Sequence, residues 1–296
     1  MKKVLKTGIV ACIVLVLSLA ILTGCEKNNE DKNKYKVVTS FYPVYIMTLN
    51  ITDGANNVEI SNMTDTNVGC LHNYTLQTQD LKKVETADLF IQNGLDIENF
   101  MDKLVSTFSN LKVVNSTEKI EDVIEDEDEK NGHTWLSINN YIKQVREISE
   151  NLEKNNEENN TVYQSNTTKY VEQLEKLDKK YKEELEQLKG KKVVSLNESF
   201  SYLERDLGLD AIEVHTDHEE STLSAEKLKG IINKMKEENV QIIIIDKDDN
   251  EKNAQNLAQE TGAKIYKLDS CLTGKRDKDA YLNAMEENLR VLKEMI

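Results

Sequence analysis

The segment Gly69-Cys70-Leu71-His72-Asn73-Tyr74 places a histidine two residues after a cysteine, in a loop that leads from an apparent strand to an apparent helix. Histidine is scarce: only His72, His133, His215 and His218 occur, against 53 aspartates and glutamates. A loop imidazole in such a chain is either a surface or capping side chain or a metal ligand, since imidazole and carboxylate together form a donor set that holds zinc. His133 lies in a second such segment, Asn131-Gly132-His133-Thr134-Trp135-Leu136-Ser137, which also carries the only tryptophan. His215-Thr216-Asp217-His218-Glu219-Glu220 offers a possible accessory cation site, although its spacing is undemanding in a loop. Neither a His-Glu-x-x-His helix nor a nucleophile elbow is present, so a metal hydrolase, the enzymatic rival, has no motif behind it.

These side chains must be positioned by regular structure. Short β-prone runs lie at residues 36–40, 58–62, 89–93 and 112–115, and helical patterns separate them. One helix starts at Pro43, the only proline, and another near Thr78; a third is expected over 97–108, where Ile97, Phe100, Met101 and Leu104 recur at helical spacing. The acidic segment 121–129 is expected to stay extended and solvated through self-repulsion. A helix follows over 138–152. From 161 to 188 the apolar positions Tyr170, Leu174, Leu177, Tyr181, Leu185 and Leu188 predict one long amphipathic helix, roughly 42 Å at 1.5 Å per residue, ended by Gly190. The second half repeats the alternation, with strands at 193–196, 211–214, 241–245 and 264–268 and helices at 200–207, 224–238, 250–261 and 280–296. The expected fold is therefore α/β: two lobes, 35–160 and 191–296, each a parallel sheet flanked by helices, joined by one long rigid helix within 161–190.

Ligands of open parallel sheets collect beyond the carboxyl ends of the strands. His72 follows the second strand and His133 the fourth; in the other half Asn197 and Glu198 follow Leu196, Asp246 follows Ile245, and Asp269 follows Leu268. Two imidazoles from one lobe and oxygen donors from the other could close a four-coordinate metal site in the cleft. Imidazole with carboxylate suits Zn2+, and a more oxygen-rich set suits Mn2+.

Residues 1–24 read as a lipoprotein signal peptide: Lys2, Lys3 and Lys6 precede an apolar run from Ile9 to Leu22, too short to span a bilayer. The run ends in Leu22-Thr23-Gly24-Cys25, which resembles a bacterial lipobox and implies lipidation of Cys25. Residues 25–34 are polar throughout and read as a flexible tether. Removing 1–24 deletes three lysines and no acids, taking the formal net charge from −15 to −18. Such a surface excludes nucleic acid and anionic headgroups as partners and favours small cations. Two cysteines remain in the exported chain, Cys70 and Cys271, and two thiols in an exported protein can pair.

Ser40-Phe41-Tyr42-Pro43, Cys70-Leu71-His72-Asn73-Tyr74, Ala87-Asp88-Leu89-Phe90-Ile91-Gln92-Asn93-Gly94, His133-Thr134-Trp135-Leu136-Ser137 and Glu260-Thr261-Gly262-Ala263-Lys264 together resemble the zinc/manganese substrate-binding lipoproteins of bacterial ABC transporters. The resemblance runs from about Tyr35 to Ile296. It implies a two-lobed metal-binding protein, not an enzyme, lipid-anchored on the outer face of the cytoplasmic membrane and delivering its ion to an ABC transporter permease. A monomer is expected. Carried over by position, the family's first two histidine ligands fall on His72 and His133, and its final acidic ligand on Asp269. The third position, filled by histidine or glutamate in the family, holds Asn197 here; an amide oxygen is a neutral, weaker donor, and Glu198 or water are the alternatives. If His72 and Asp269 share a metal, Cys70 and Cys271 lie close too, as a disulfide at the cleft edge or as a thiolate ligand favouring zinc. A lipid-anchored adhesin whose metal is only structural is the remaining rival, since some members carry such names.

Overall fold

A computed structural model describes residues 34–71, 74–101, 108, 110–126, 129–214 and 223–296. Tyr35–Ile296 form one compact unit. Its first sheet holds β1 (Tyr35–Thr39), β2 (Val58–Asn62), β3 (Leu89–Gln92) and β4 (Lys112–Asn115), all parallel in the order β2-β1-β3-β4. Helices α1 (Tyr42–Ile51) and α2 (Thr78–Glu85) provide crossovers. Neighbouring residues on a strand point to opposite faces, so Val37 joins the large core beneath α1 while Val38 joins a smaller one with Met63, Val84, Phe90 and Met101.

Two helices follow, α3 (Ile138–Asn155) and α4 (Asn160–Glu184), before the second sheet of β7 (Lys192–Ser195), β8 (Asp210–Glu213), β9 (Ile242–Asp246) and β10 (Lys264–Leu268), parallel in the order β10-β9-β7-β8. The remaining helices are α5 (Ser201–Leu207), α6 (Ala225–Glu238), α7 (Lys252–Thr261) and α8 (Ala280–Lys293). The isoleucine run of β9 is buried on both sides: Ile244 faces the large core, and Ile243 and Ile245 face Met235 and Leu257 of α6 and α7. Ser224 caps α6 by accepting a bond from Lys227 N at 3.2 Å. No helix among the described residues is long and apolar enough to cross a membrane.

The long helix α4 presents Tyr163, Tyr170, Leu174, Leu177 and Tyr181 to a core that both sheets share, and it lies against α1, α3 and α8. It is shorter than its apolar pattern predicts. Regular structure ends at Glu184, and Glu186–Leu188 form a 3-10 turn. Leu185 and Leu188 remain buried, because the tighter winding still delivers them to the core. Gly190, at φ +76°, then turns the chain into β7.

Within the predicted helix 97–108, the described part winds only as a 3-10 turn at Asn99–Met101; residues 102–107 lie outside the described residues. The acidic segment is extended and also pairs with itself: Glu125–Asp126 (β5) and Glu129–Lys130 (β6) lie antiparallel with Glu125 opposite Lys130. Its charge is partly neutralised, since Asp122 pairs with Lys143 at 3.2 Å and Arg205 at 3.1 Å. Those cations hold the Asp122 carboxyl below the usual carboxylate range, outweighing its partial burial.

Glu204 of α5 is buried, and the neighbouring Ser195 hydroxyl offsets the cost of burying its carboxyl only in part. Burial pushes its carboxyl up to about 7. A raised folded-state value favours the protonated fold, so this group's contribution is complete below about 4.5 and lost as pH rises through 7. Replacing Glu204 by the neutral isostere, Glu204→Gln, should therefore raise stability at pH 8 by up to about 3 kcal/mol relative to its effect at pH 5. Thermal melts of both proteins at the two pH values check this; an equal shift at both would contradict it.

Candidate metal centre

His133 is built into the fold from both sides. It is 1 % exposed and precedes the 3-10 turn Thr134–Leu136, whose Trp135 ring lies 5.1 Å from the imidazole. From the first lobe, Asn93 at the end of β3 donates to Gly132 O at 2.9 Å and accepts from Gln144 of α3 at 3.0 Å; Thr134 donates to the same Gln144 at 3.1 Å. Only glycine fits at 132, because a Cβ there would meet Leu95 O at 2.6 Å. From the second lobe, Glu198 O and Ser201 Oγ accept the Asn131 side-chain NH2 at 3.1 and 3.3 Å, and the Tyr202 hydroxyl donates to Asn131 O at 2.7 Å.

Those contacts fix the Asn131 amide, with nitrogen toward α5 and oxygen toward His133. The oxygen lies 2.9 Å from both His133 N and His133 Nδ1. An amide oxygen only accepts, so Nδ1 carries the proton and Nε2 keeps its lone pair. Donation of one ring N–H to a fixed acceptor is the usual support of a metal-ligating histidine. Nε2 lies 3.4 Å from Cys70 Sγ.

Cys70 sits on the loop that precedes His72. His72 itself lies outside the described residues, as do Cys25, His215 and His218. The flanks of His72 are anchored: Leu71 is fully buried and accepts from Tyr74 N at 2.9 Å, and the Tyr74 hydroxyl donates to Asp80 at 2.7 Å. The same loop touches the one after β10, where Gly274 N donates to Thr66 O at 3.1 Å.

On that second loop Asp269 is clasped by Asn288, whose amide accepts from Asp269 N at 2.7 Å and donates to Asp269 O at 2.8 Å. Its carboxylate accepts from Cys271 N at 2.8 Å and from the Lys247 ammonium at 2.7 Å. It borders a cavity of about 400 Å³ lined also by Tyr42, Lys247, Cys271 and Glu287. The strand-end residue Asp246 serves the backbone, accepting from Asp248 N at 2.7 Å and Ser270 N at 3.0 Å. Asn197 is engaged at both ends of its amide: Oδ1 accepts from Ser199 N at 3.0 Å, and Nδ2 donates to Asp249 at 2.9 Å. Glu198 lies in the 3-10 turn that Asn197 caps.

No disulfide joins Cys70 to Cys271, contrary to that expectation. The sulfurs have different partners: Cys70 Sγ lies against His133, and the buried Cys271 Sγ against Asp269 O at 3.7 Å. Burial, with Asp269 and Asp246 nearby, pushes the Cys271 thiol well above its ordinary range, which opposes a thiolate there. Among the described residues the fold thus brings together Cys70 and His133, and separately Asp269 and Lys247; no three His, Cys, Asp or Glu side chains among them are grouped to hold a metal. Asn131 and Lys247 escaped the sequence reading, because their partners become neighbours only in the fold.

A family model described as the periplasmic zinc-uptake complex component A matches residues 37–295. The zinc-binding lipoprotein AdcA of Streptococcus pneumoniae R6 is 27% identical over 306 residues, covering 96% of this chain; the chain spans 60% of that relative's length. The high-affinity zinc uptake system protein ZnuA of Bacillus subtilis is 26% identical over 312 residues, covering 97% of this chain and 96% of the relative. Among solved structures, the Zn(II)-bound ZnuA-like domain of pneumococcal AdcA superposes with a TM-score of 0.76 at 26% identity, covering 88% of this chain and 98% of the domain. Pseudomonas aeruginosa FpvC in complex with Mn2+ reaches a TM-score of 0.79 at 23% identity, covering 89% of this chain and 98% of FpvC, a likeness of fold. Matched over nearly its whole folded length, the chain belongs to the zinc-uptake complex component A family.

Proposed function

We propose that this protein captures a divalent transition metal ion, zinc first and manganese as the alternative, outside the cytoplasmic membrane and delivers it to the permease of an ABC transporter. It would be held there as a monomer by a lipid on Cys25, with 1–24 removed as signal peptide and 25–34 as tether. The lobes are taken as 35–160 and 191–296, with 161–190 as the link. What carries the reading is the His133 imidazole, buried and tautomerically fixed by Asn131 so that Nε2 offers a lone pair. The relative named as a high-affinity zinc uptake protein and the Zn(II)-bound ZnuA-like domain of the same fold support the choice of cargo.

In this reading His133 and His72 supply imidazoles and Asp269 a carboxylate. Asp269 already holds a cation, the Lys247 ammonium, and an arriving ion competes with it. The Lys247 side chain is 42% exposed, so it can turn into water as the ion takes its place. Asn197 keeps a second lone pair on Oδ1 beyond its bond to Ser199 N, while Glu198 sits beside it as the alternative oxygen donor. Shared core along α4 and cross-lobe bonds such as Trp135 Nε1 to Ser270 O, 2.8 Å, favour opening by small lobe or loop movements. The ion is carried unchanged, so in this reading no residue has a catalytic role.

Protein purified from residue 26 onward without added metal should retain about one zinc per chain by elemental mass spectrometry, and His133→Ala should lose it. Absence of any transition metal in the parent, with none bound on titration, would contradict the reading. Asn131→Ala, which removes the acceptor of Nδ1–H and the bridge to α5, should weaken zinc binding roughly 10- to 100-fold, the usual cost of an outer-sphere partner. Chelator competition measures this, and unchanged affinity would sink the assigned role of Asn131.

A further inference from the structure

We propose that Cys70 is a metal ligand, its sulfur and His133 Nε2 occupying two corners of one tetrahedral zinc site. The proposal rests on the metal-capture reading and specifies the chemistry of the same site. Cys70 Sγ and His133 Nε2 are 3.4 Å apart. Two ligands of a tetrahedral zinc, with Zn–S near 2.3 Å and Zn–N near 2.0–2.1 Å, are separated by about 3.5 Å. The atoms are thus already spaced as partners on one ion. The orientation agrees as well as the distance: the Asn131 amide fixes the proton on Nδ1, so the electron pair on Nε2 is the one that faces the sulfur side.

Charge agrees with the assignment. The site needs anionic donors to neutralise a divalent ion at a histidine that is 1 % exposed, since an uncompensated buried charge is costly. Asp269 supplies one negative charge. Asn197 supplies none, and its amide is held at both ends by Ser199 N and Asp249. A thiolate formed at Cys70 on coordination would supply negative charge directly beside His133. The Cys70 and Asp269 loops meet through Gly274 N and Thr66 O, 3.1 Å. Binding then replaces the sulfur–hydrogen bond by a sulfur–metal bond, and the proton leaves to water. Cys70 is half-buried, so ion and proton have a route to solvent, whereas Cys271 is buried with its sulfur on Asp269 O.

A sulfur donor also sets selectivity. Thiolate favours zinc, while manganese is bound best by oxygen-rich sets. Cys70 therefore acts as a specificity-determining ligand that tilts the site toward zinc.

X-ray absorption at the zinc edge, on protein from residue 26 onward loaded with one equivalent of Zn2+, tests the assignment. One sulfur at about 2.3 Å is expected in the parent and in Cys271→Ser, and no sulfur in Cys70→Ser. Cys70→Ser should also lose at least the roughly 10- to 100-fold in zinc affinity that an outer-sphere loss costs, with manganese affinity changed far less and an unaltered circular dichroism spectrum. Loading with Co2+ should give a sulfur-to-metal charge-transfer band in the near ultraviolet that vanishes in Cys70→Ser. A first shell of nitrogen and oxygen only in the parent, or a sulfur signal that survives Cys70→Ser, overturns the proposal while leaving metal capture standing. Failure of the parent to bind any divalent metal overturns both.

Discussion

The Asn131 side chain is the point on which the candidate centre depends. One planar amide donates across the lobe boundary to Glu198 O and Ser201 Oγ and accepts from both the backbone and the ring of His133. A neutral imidazole offers a metal only the nitrogen that lacks the proton, and the hydrogen bond of the opposite nitrogen sets which one that is. Because the partners of Asn131 lie on the second lobe, the tautomer of a first-lobe histidine is tied to how the lobes meet. Tyr202 strengthens the tie, bridging Asn131 O and Ile124 N with its hydroxyl.

The surrounding structure makes this junction stiff. Trp135 donates to Ser270 O, Tyr281 donates to Trp135 O at 2.8 Å, and Tyr281 stacks on Tyr141 with centroids 3.6 Å apart. Aromatic side chains with satisfied polar tips give large buried contact together with fixed direction. The buried face of α4 continues the same core between the sheets. Adaptation to an ion therefore falls to loop side chains such as Lys247, which is half-exposed and held by a single carboxylate.

Much of the fold was legible because its signals are local. The β-branched runs at 36–40, 58–62 and 241–245 are strands, and Ser224 and Pro43 start helices where their types require. The end of α4 was misjudged because Leu185 and Leu188 keep the helical apolar period although the chain has tightened into a 3-10 turn. What the composition of the acidic segment does not show is that Lys143 and Arg205, distant in sequence, answer part of its charge. The same limit applies to the site. His133 and Asp269 can be picked out by their places after strands, but Asn131 and Lys247 act on partners that only the fold supplies, and the spacing of Cys70 and Cys271 suggested a bridge where the fold sends one sulfur to an imidazole.

The most direct test of this account is a crystal structure of the zinc-loaded protein with anomalous scattering measured on both sides of the zinc edge. The account predicts one zinc peak within coordination distance of His133 Nε2, with Nδ1 still donating to the Asn131 amide oxygen. A zinc peak bound elsewhere, or a His133 ring turned so that Nδ1 faces the ion and the Asn131 bond is broken, would contradict it.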